Sequence, residues 1–191
     1  MRQIILASAS PRRKELMEQI GLPFIVMPAT KEELISSDIP SRIVSELSLQ
    51  KASEIAELLT EEAIIIGSDT MVALGNKIMG KPKDEKDAID MLTCLQGTTH
   101  TVYTGVTLFV TGVIPGIHTF YEQCEVTMYP MTPAETADYV ATGEPMDKAG
   151  SYAIQGKGAV YIKQIKGEYN TVVGLPIGRV YQELKPYLSI Y

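Results

Sequence analysis

The octapeptide GNKIMGKP, residues 75–82, has the glycine and lysine spacing of a phosphate-binding loop but carries Pro82 where that loop needs a hydroxyl. In such a loop the Ser or Thr side chain binds the nucleotide's magnesium, and the amides after the lysine open a helix towards the phosphates. Proline supplies neither a hydroxyl nor an N–H. TMVAL ahead of the octapeptide alternates like a strand, LGN reads as a tight turn, and KIM returns as a second short strand. Lys81 therefore follows a hairpin rather than preceding a helix, and taken alone it reads as a solvated loop lysine.

Five other stretches hold residue types suited to anion or metal chemistry. SASPRR, residues 8–13, sets hydroxyls, backbone amides and the guanidiniums of Arg12 and Arg13 around the first turn of a helix. Cations there oppose the helix dipole unless something negative is bound; the alternative is a solvated pair with Ser10 as the cap. Lys51 falls midway between Leu47 and Ile55 in an apolar helical stripe, away from Glu46, Glu54 and Glu57. A lysine on that face needs an anionic partner or must snorkel to the surface. Asp69 follows IIIGS at the expected C-terminal end of a central strand, where open α/β sheets bind ligands. It can hold Mg2+ or orient a water, or simply cap the turn into TMVAL. Glu32 and Glu33, after the second strand, offer another carboxylate or a solvated loop. DKAGSYAIQGKG, residues 147–158, combines glycines that permit close backbone approach with Gln155, whose amide can read a nucleobase edge, although an ordered surface loop has the same composition. His100 and His118 form no metal or triad pattern with the cysteines, and no Gly-x-Ser-x-Gly occurs.

The elements that must position these residues alternate. IILA (4–7) reads as a buried strand, RRKELMEQI (12–20) as a helix burying Leu16, Met17 and Ile20, and PFIVMP as a second strand. A helix from Ser41 to Leu59 keeps Ile43, Val44, Leu47, Ile55 and Leu59 on its core side, and AIIIGSD (63–69) is apolar enough for a central strand. Residues 84–95 form a helix capped by Asp84; two long strands, 99–111 and 118–129, are joined by GVIPG; and Thr132 to Glu135 has capping-box spacing for a helix to Thr142. A strand at 159–165 and a helix at 176–188 close the chain. The pattern predicts an elongated mixed α/β protein, with the antiparallel strands at about 99–130 in a partly separate lobe.

With 191 residues and 45% hydrophobic content, the chain can bury a substantial core in one domain or two closely packed lobes. No apolar run approaches the ~20 residues of a membrane span, and the opening is too short for a secretory signal, so a cytoplasmic location without membrane contact is expected. Cys94 and Cys124 lie in apolar periodic segments and read as buried free thiols. A net charge of −6 argues against nucleic-acid binding, which relies on many Lys and Arg, but leaves room for a small anion in a locally basic pocket.

Taken together, ASASPRRKEL, Glu32-Glu33, QKA around Lys51, GSDTMV around Asp69, GKP around Lys81, DKAGSYAIQG and NTVVGLP closely resemble the Maf family, in order and over nearly the whole chain. The resemblance implies a single Maf-like domain over residues 1–191, an elongated mixed sheet with flanking helices similar to the inosine-triphosphate pyrophosphatase fold, and a cleft between two lobes. It implies a nucleoside triphosphate pyrophosphatase that releases a nucleoside monophosphate and pyrophosphate, with a divalent metal cation, Mg2+ or alternatively Mn2+. By motif position Asp69 is the proton acceptor, Glu33 serves metal or water, and Ser8, Arg12, Arg13, Lys51 and Lys81 surround the phosphates. Asp69 followed by Thr70 resembles the subgroup acting on dTTP and UTP, with Arg12, Thr70 and Gln155 at the positions tied to that choice. The family resemblance also carries a homodimeric state and a link to arrest of septum formation. Two departures are Ser68, where alanine commonly stands, and a loop from Glu33 to Lys51 one residue shorter than in some relatives, which leaves Glu32 and Glu33 as alternatives.

Overall fold

In the computed structural model, which describes residues 2–188, the strands β1 (Gln3–Leu6), β2 (Phe24–Val26), β3 (Ala63–Leu74), β4 (Lys77–Met79), β5 (Thr99–Val110), β6 (Gly116–Met128) and β7 (Ile162–Lys166) form one mixed sheet. Its order is β2-β1-β3-β5-β6-β7, with β4 paired to β3. The helices are α1 (Pro11–Ile20), α2 (Pro40–Glu57), α3 (Glu85–Leu95), α4 (Pro133–Ala141), α5 (Tyr169–Val173) and α6 (Ile177–Leu188). The chain divides into two compact units, Met1–Asp69 with Thr104–Glu122 and Gly174–Tyr191, and Thr70–Tyr103 with Gln123–Val173.

In the first unit β1 runs parallel to both β2 and β3, with Leu6 opposite Val26 and Ile66. A strand buried on both faces reads as a continuous apolar run, and Ile4, Ile5, Leu6, Ile64, Ile65 and Ile66 are all buried. α1 begins on Ser10, whose Oγ caps the Arg13 amide, takes Pro11 in its first turn, and ends at Gly21 in the left-handed conformation. Leu16 and Met17 are buried as the spacing predicts, whereas Ile20 is only half-buried.

Two glycines bring α2 onto the sheet. A Cβ on Gly67 would stand 2.1 Å from the Ser48 carbonyl oxygen, and one on Gly105 would stand 2.2 Å from that of Val44. The helix backbone thus rests on β3 and β5 with no side chain between. Between them Ser48, Thr107 and Thr119 form a chain of hydroxyl hydrogen bonds, each 2.9 Å long, which satisfies the buried polar atoms.

The second unit has its own core, built from Val72, Met79, Leu92, Leu95, Val102, Val126, Met128, Tyr139 and Tyr152 among others. Asp84 caps α3 by accepting from the Asp87 amide at 2.8 Å, and α4 opens on the expected capping box between Thr132 and Glu135.

The structure revises several boundaries. Residues 63–74 are one strand, not a strand followed by a hairpin arm, because the small residues GSD keep extended pairing geometry while admitting the helix. Residues 157–161 form a 3₁₀ turn and the last strand starts only at Ile162; the Lys157 and Gly158 amides both turn towards the Glu144 carboxylate, at 3.0 Å each. α5 was not expected, since five residues hold too little of a helical period to be read. Cys124 is buried but Cys94 is half-buried, its Sγ accepting from Lys77 Nζ at 3.3 Å.

Candidate active site

The parallel pairing of β1 with β3 ends where the Ala7 amide donates to the Ile66 carbonyl at 2.9 Å. Beyond that point the two segments carry Ser8 and Asp69, where the parallel pairing of β1 with β3 stops. Asp69 is not the end of its strand, because β3 continues to Leu74 in antiparallel pairing with β4.

Ser8 is buried and its Oγ accepts twice, from the Ser10 amide at 3.3 Å and from Arg13 Nη1 at 3.2 Å. With both lone pairs engaged, the hydroxyl hydrogen is what Ser8 can offer an anion. Arg13 Nε donates to the Gly174 carbonyl at 2.8 Å, and Ser68 Oγ donates to the same carbonyl at 3.0 Å. The departure at Ser68 is thereby explained: its fully buried hydroxyl helps fix the carbonyl that orients Arg13. Desolvation lowers the Arg13 pKa from its ordinary value; the Asp69 and Glu33 carboxylates oppose this, and Arg12 adds to it by like-charge repulsion. Arg12 is half-buried in the first turn of α1.

Lys51 has the anionic partners its place in the stripe calls for. Its ammonium bonds Asp69 Oδ1 and lies 3.0 Å from Glu33 Oε1. The side chains of Lys51 and Asp69 are 16% and 14% exposed, so this pair is largely withdrawn from water, whereas Glu33 at 48% remains open to it. Asp69 is therefore held in an ion pair rather than serving only as a cap on the turn into TMVAL. The helix contact at Gly67 accounts for the pairing: with the Ser48 carbonyl against Gly67, Lys51 one turn along α2 meets Asp69 two residues along β3. Both glutamates are exposed, and it is Glu33 whose carboxylate reaches Lys51.

The loop bearing Glu33 is strapped to α2 by residues that the sequence reading passed over. Glu54 accepts from the Thr30 amide at 2.8 Å, from Thr30 Oγ1 at 3.2 Å and from the Lys31 amide at 3.0 Å. Gln50 takes both backbone groups of Leu34, accepting its N–H at 3.0 Å and donating to its carbonyl at 2.6 Å. Glu46 holds Ser36 by Oγ at 2.9 Å and by the amide at 3.3 Å. Glu54 is buried, and its backbone hydrogen bonds, that to Thr30 first, hold its carboxyl below its ordinary value. The available signal was the four-residue spacing of Glu46, Gln50 and Glu54 along one helical face.

Thr70, Lys81 and Gln155 belong to the second unit. Thr70 is half-buried, and Lys81 and Gln155 are exposed. The segment carrying Lys81 is held by a hydrogen bond from the Gly150 amide to the Gly80 carbonyl at 3.0 Å, next to the buried Pro82. Lys81 follows the β3–β4 hairpin, as expected, and the loop spelling is unrelated to a phosphate-binding helix. His100 is buried with Nε2 2.8 Å from the Tyr152 hydroxyl, and among the described residues no three His, Cys, Asp or Glu side chains group as a metal cage. Nor is any helix among the described residues long and apolar enough to cross a membrane.

Against this geometry the likenesses to known proteins are specific. A family model described as Maf-like protein matches residues 3–187. The chain is 54% identical over 199 residues to a dTTP/UTP pyrophosphatase of Agathobacter rectalis, covering 97% of each. It is 50% identical over 190 residues to a dTTP/UTP pyrophosphatase of Bacillus cytotoxicus, covering 99% of this chain and 97% of that one. Among solved structures, the Ham1 protein of Staphylococcus aureus superposes with a TM-score of 0.51 at 14% identity over 97% of this chain and 100% of that chain, a likeness of fold alone. The mixed sheet with its flanking helices and the match across almost the whole chain lead to one assignment: the chain belongs to the Maf-like protein family.

Proposed function

We propose that this protein is a nucleoside triphosphate pyrophosphatase acting on dTTP and UTP, in which water attacks the α-phosphorus and pyrophosphate leaves. The observation that carries the reading is the convergence of Lys51 on Asp69 and Glu33 in a unit where Arg13 also donates to the buried Ser8 hydroxyl. Two carboxylates already gather around one positive charge, and that donor set fits a divalent cation that brings its remaining oxygens from water and phosphate. Asp69 and Glu33 would hold Mg2+ or Mn2+, which when bound supplies charge stabilisation for the leaving pyrophosphate.

The chain's own groups account for the other roles. Lys51 bridges both carboxylates, one positive charge shared between two negative ones. When a triphosphate enters, its oxygens compete for the ammonium, and the Asp69 oxygen that Lys51 holds is released to accept the proton of the attacking water or to bind the cation that activates it. Ser8 donates its hydroxyl hydrogen to a phosphate oxygen, and Arg13, oriented through Gly174, adds fixed positive charge. Arg12 and Lys81 serve the phosphates, while Arg12, Thr70 and Gln155 select the base.

Pyrophosphate release from a panel of nucleoside triphosphates with Mg2+ tests this reading. Release is expected from dTTP and UTP and to fall by about 1,000-fold or more in Asp69→Asn, with nucleotide binding largely kept. Binding without release from any triphosphate would make the protein a nucleotide-binding regulator instead.

A further inference from the structure

Gln155 is exposed, yet the backbone on both sides of it is tied to two joined side chains. Before it, the Ala153 amide donates to Tyr139 Oη at 3.0 Å. After it, the amides of Lys157 and Gly158 donate to Glu144 Oε1 and Oε2, each at 3.0 Å. Tyr139 Oη in turn donates to Glu144 Oε2 at 2.8 Å, which closes the link between the two sides. Tyr139 is buried in the core of its unit, 3% exposed, so the link is anchored rather than surface-borne.

The fit leaves no space for side chains. A Cβ on Gly156 would lie 1.9 Å from Glu144 Oε1, and one on Gly158 would lie 2.5 Å from Tyr139 Oη. Glu144 is itself held, its amide donating to Thr142 Oγ1 at 3.3 Å and its carbonyl accepting from Lys148 Nζ at 3.2 Å. Desolvation pushes the Glu144 carboxyl up, but the Lys157 amide, the Tyr139 hydroxyl and the Gly158 amide together hold it below its ordinary value. A solvated loop does not require a carboxylate committed to its amides, glycines cut to the carboxylate's shape and a buried phenol completing the link.

We infer that Glu144, acting with Tyr139, is a positioning residue for nucleobase selection, fixing the backbone from residue 153 to 158 so that Gln155 presents its amide in one orientation. The inference rests on the reading of Gln155 as a base-selecting residue. A hydrogen-bonding site rejects the wrong base because the wrong edge leaves polar groups unpaired, and that penalty exists only while the groups cannot re-aim. Loosening the loop should therefore erode discrimination before it slows chemistry.

The test is a four-way comparison of kcat/KM for dTTP, UTP, CTP and purine triphosphates in the wild type, Glu144→Gln, Gln155→Ala and the double variant. Glu144→Gln keeps one acceptor oxygen and turns the other into a donor facing donors. It is expected to lower kcat/KM for dTTP and UTP about 10-fold through KM, with less than about a 2-fold change for the other triphosphates. In the Gln155→Ala background the same change should move the ratio by less than about 2-fold. Hydrogen exchange at the Lys157 and Gly158 amides should be about 10-fold faster in Glu144→Gln. Tyr139→Phe, which keeps the ring in the core, carries the same kinetic expectation if Glu144→Gln does not fold. An equal loss for every triphosphate, or a ratio change that survives in Gln155→Ala, overturns the positioning role while leaving the Gln155 reading in place. Unchanged selectivity in Gln155→Ala alone overturns that reading, and this inference with it.

Discussion

Two carboxylate sites, one in each unit, are held in opposite ways. In the first, Asp69 and Glu33 face a lysine ammonium at the end of a flexible stem. In the second, Glu144 faces two backbone amides and a buried phenol. A lysine can leave one anion for another at little cost, because its charge is mobile and its stem has many rotamers. A backbone amide cannot leave without moving the chain. The first arrangement suits a group that must change partners during a reaction, and the second suits one that must never do so.

Lys51→Met breaks the first half of this contrast and should have the largest effect after Asp69→Asn. Turnover is expected to fall about 100-fold or more, read as pyrophosphate release, since one phosphate cation and the partner of both carboxylates are lost together. Gly67→Ala probes the scaffold beneath that pair. Its methyl group would meet the Ser48 carbonyl at 2.1 Å and the Ala52 amide nitrogen at 2.9 Å. A destabilisation of at least about 3 kcal/mol in urea unfolding is expected.

His100 sharpens the second half, as a buried polar group of the second unit held through Nε2 by Tyr152. Burial lowers its pKa to about 4 from an ordinary 6.5, so between those values the unfolded chain binds a proton that the native protein refuses. Stability should decline as pH falls through that window, by roughly 3 kcal/mol across its full width, and His100→Gln should remove this part of the slope. An unchanged slope in the variant would assign the titration to another group. The smallest effect belongs to Gln50→Ala, which frees both backbone groups of Leu34. About 1 kcal/mol of stability should be lost, and the Mg2+ concentration needed for half-maximal rate should rise about 3-fold as the Glu33 loop loosens.

Much of the frame was legible because it is periodic or capped. The α3 and α4 starts follow from Asp84 and from Thr132 with Glu135, and the central strand follows from the Ile64–Ile66 run. Lys51 could be singled out because a charge in an apolar stripe breaks a pattern, but its partners lie 18 residues both before and after it in the chain, and no spacing reports them. The single strand over 63–74 was read as two because GSD resembles punctuation, when its glycine is there to admit a helix. Glu54 and Glu144 were missed for a common reason. A carboxylate serving backbone amides looks, in one dimension, like any solvated acid, and only the fold reveals which N–H groups it satisfies.

Contact at Gly67 and Gly105 has one more consequence. Distances set by side-chain packing drift as core residues are exchanged over generations, each swap of Leu for Met or Ile shifting a helix by some fraction of an ångström. Here the spacing between α2 and β3 is gauged by bare backbone, the Ser48 carbonyl against a glycine that leaves no room for a Cβ, rather than by the side chains of the surrounding core. Two absent side chains thus serve as a ruler, and a lineage can rewrite most of its hydrophobic interior while the reach from Lys51 to Asp69 stays the same length.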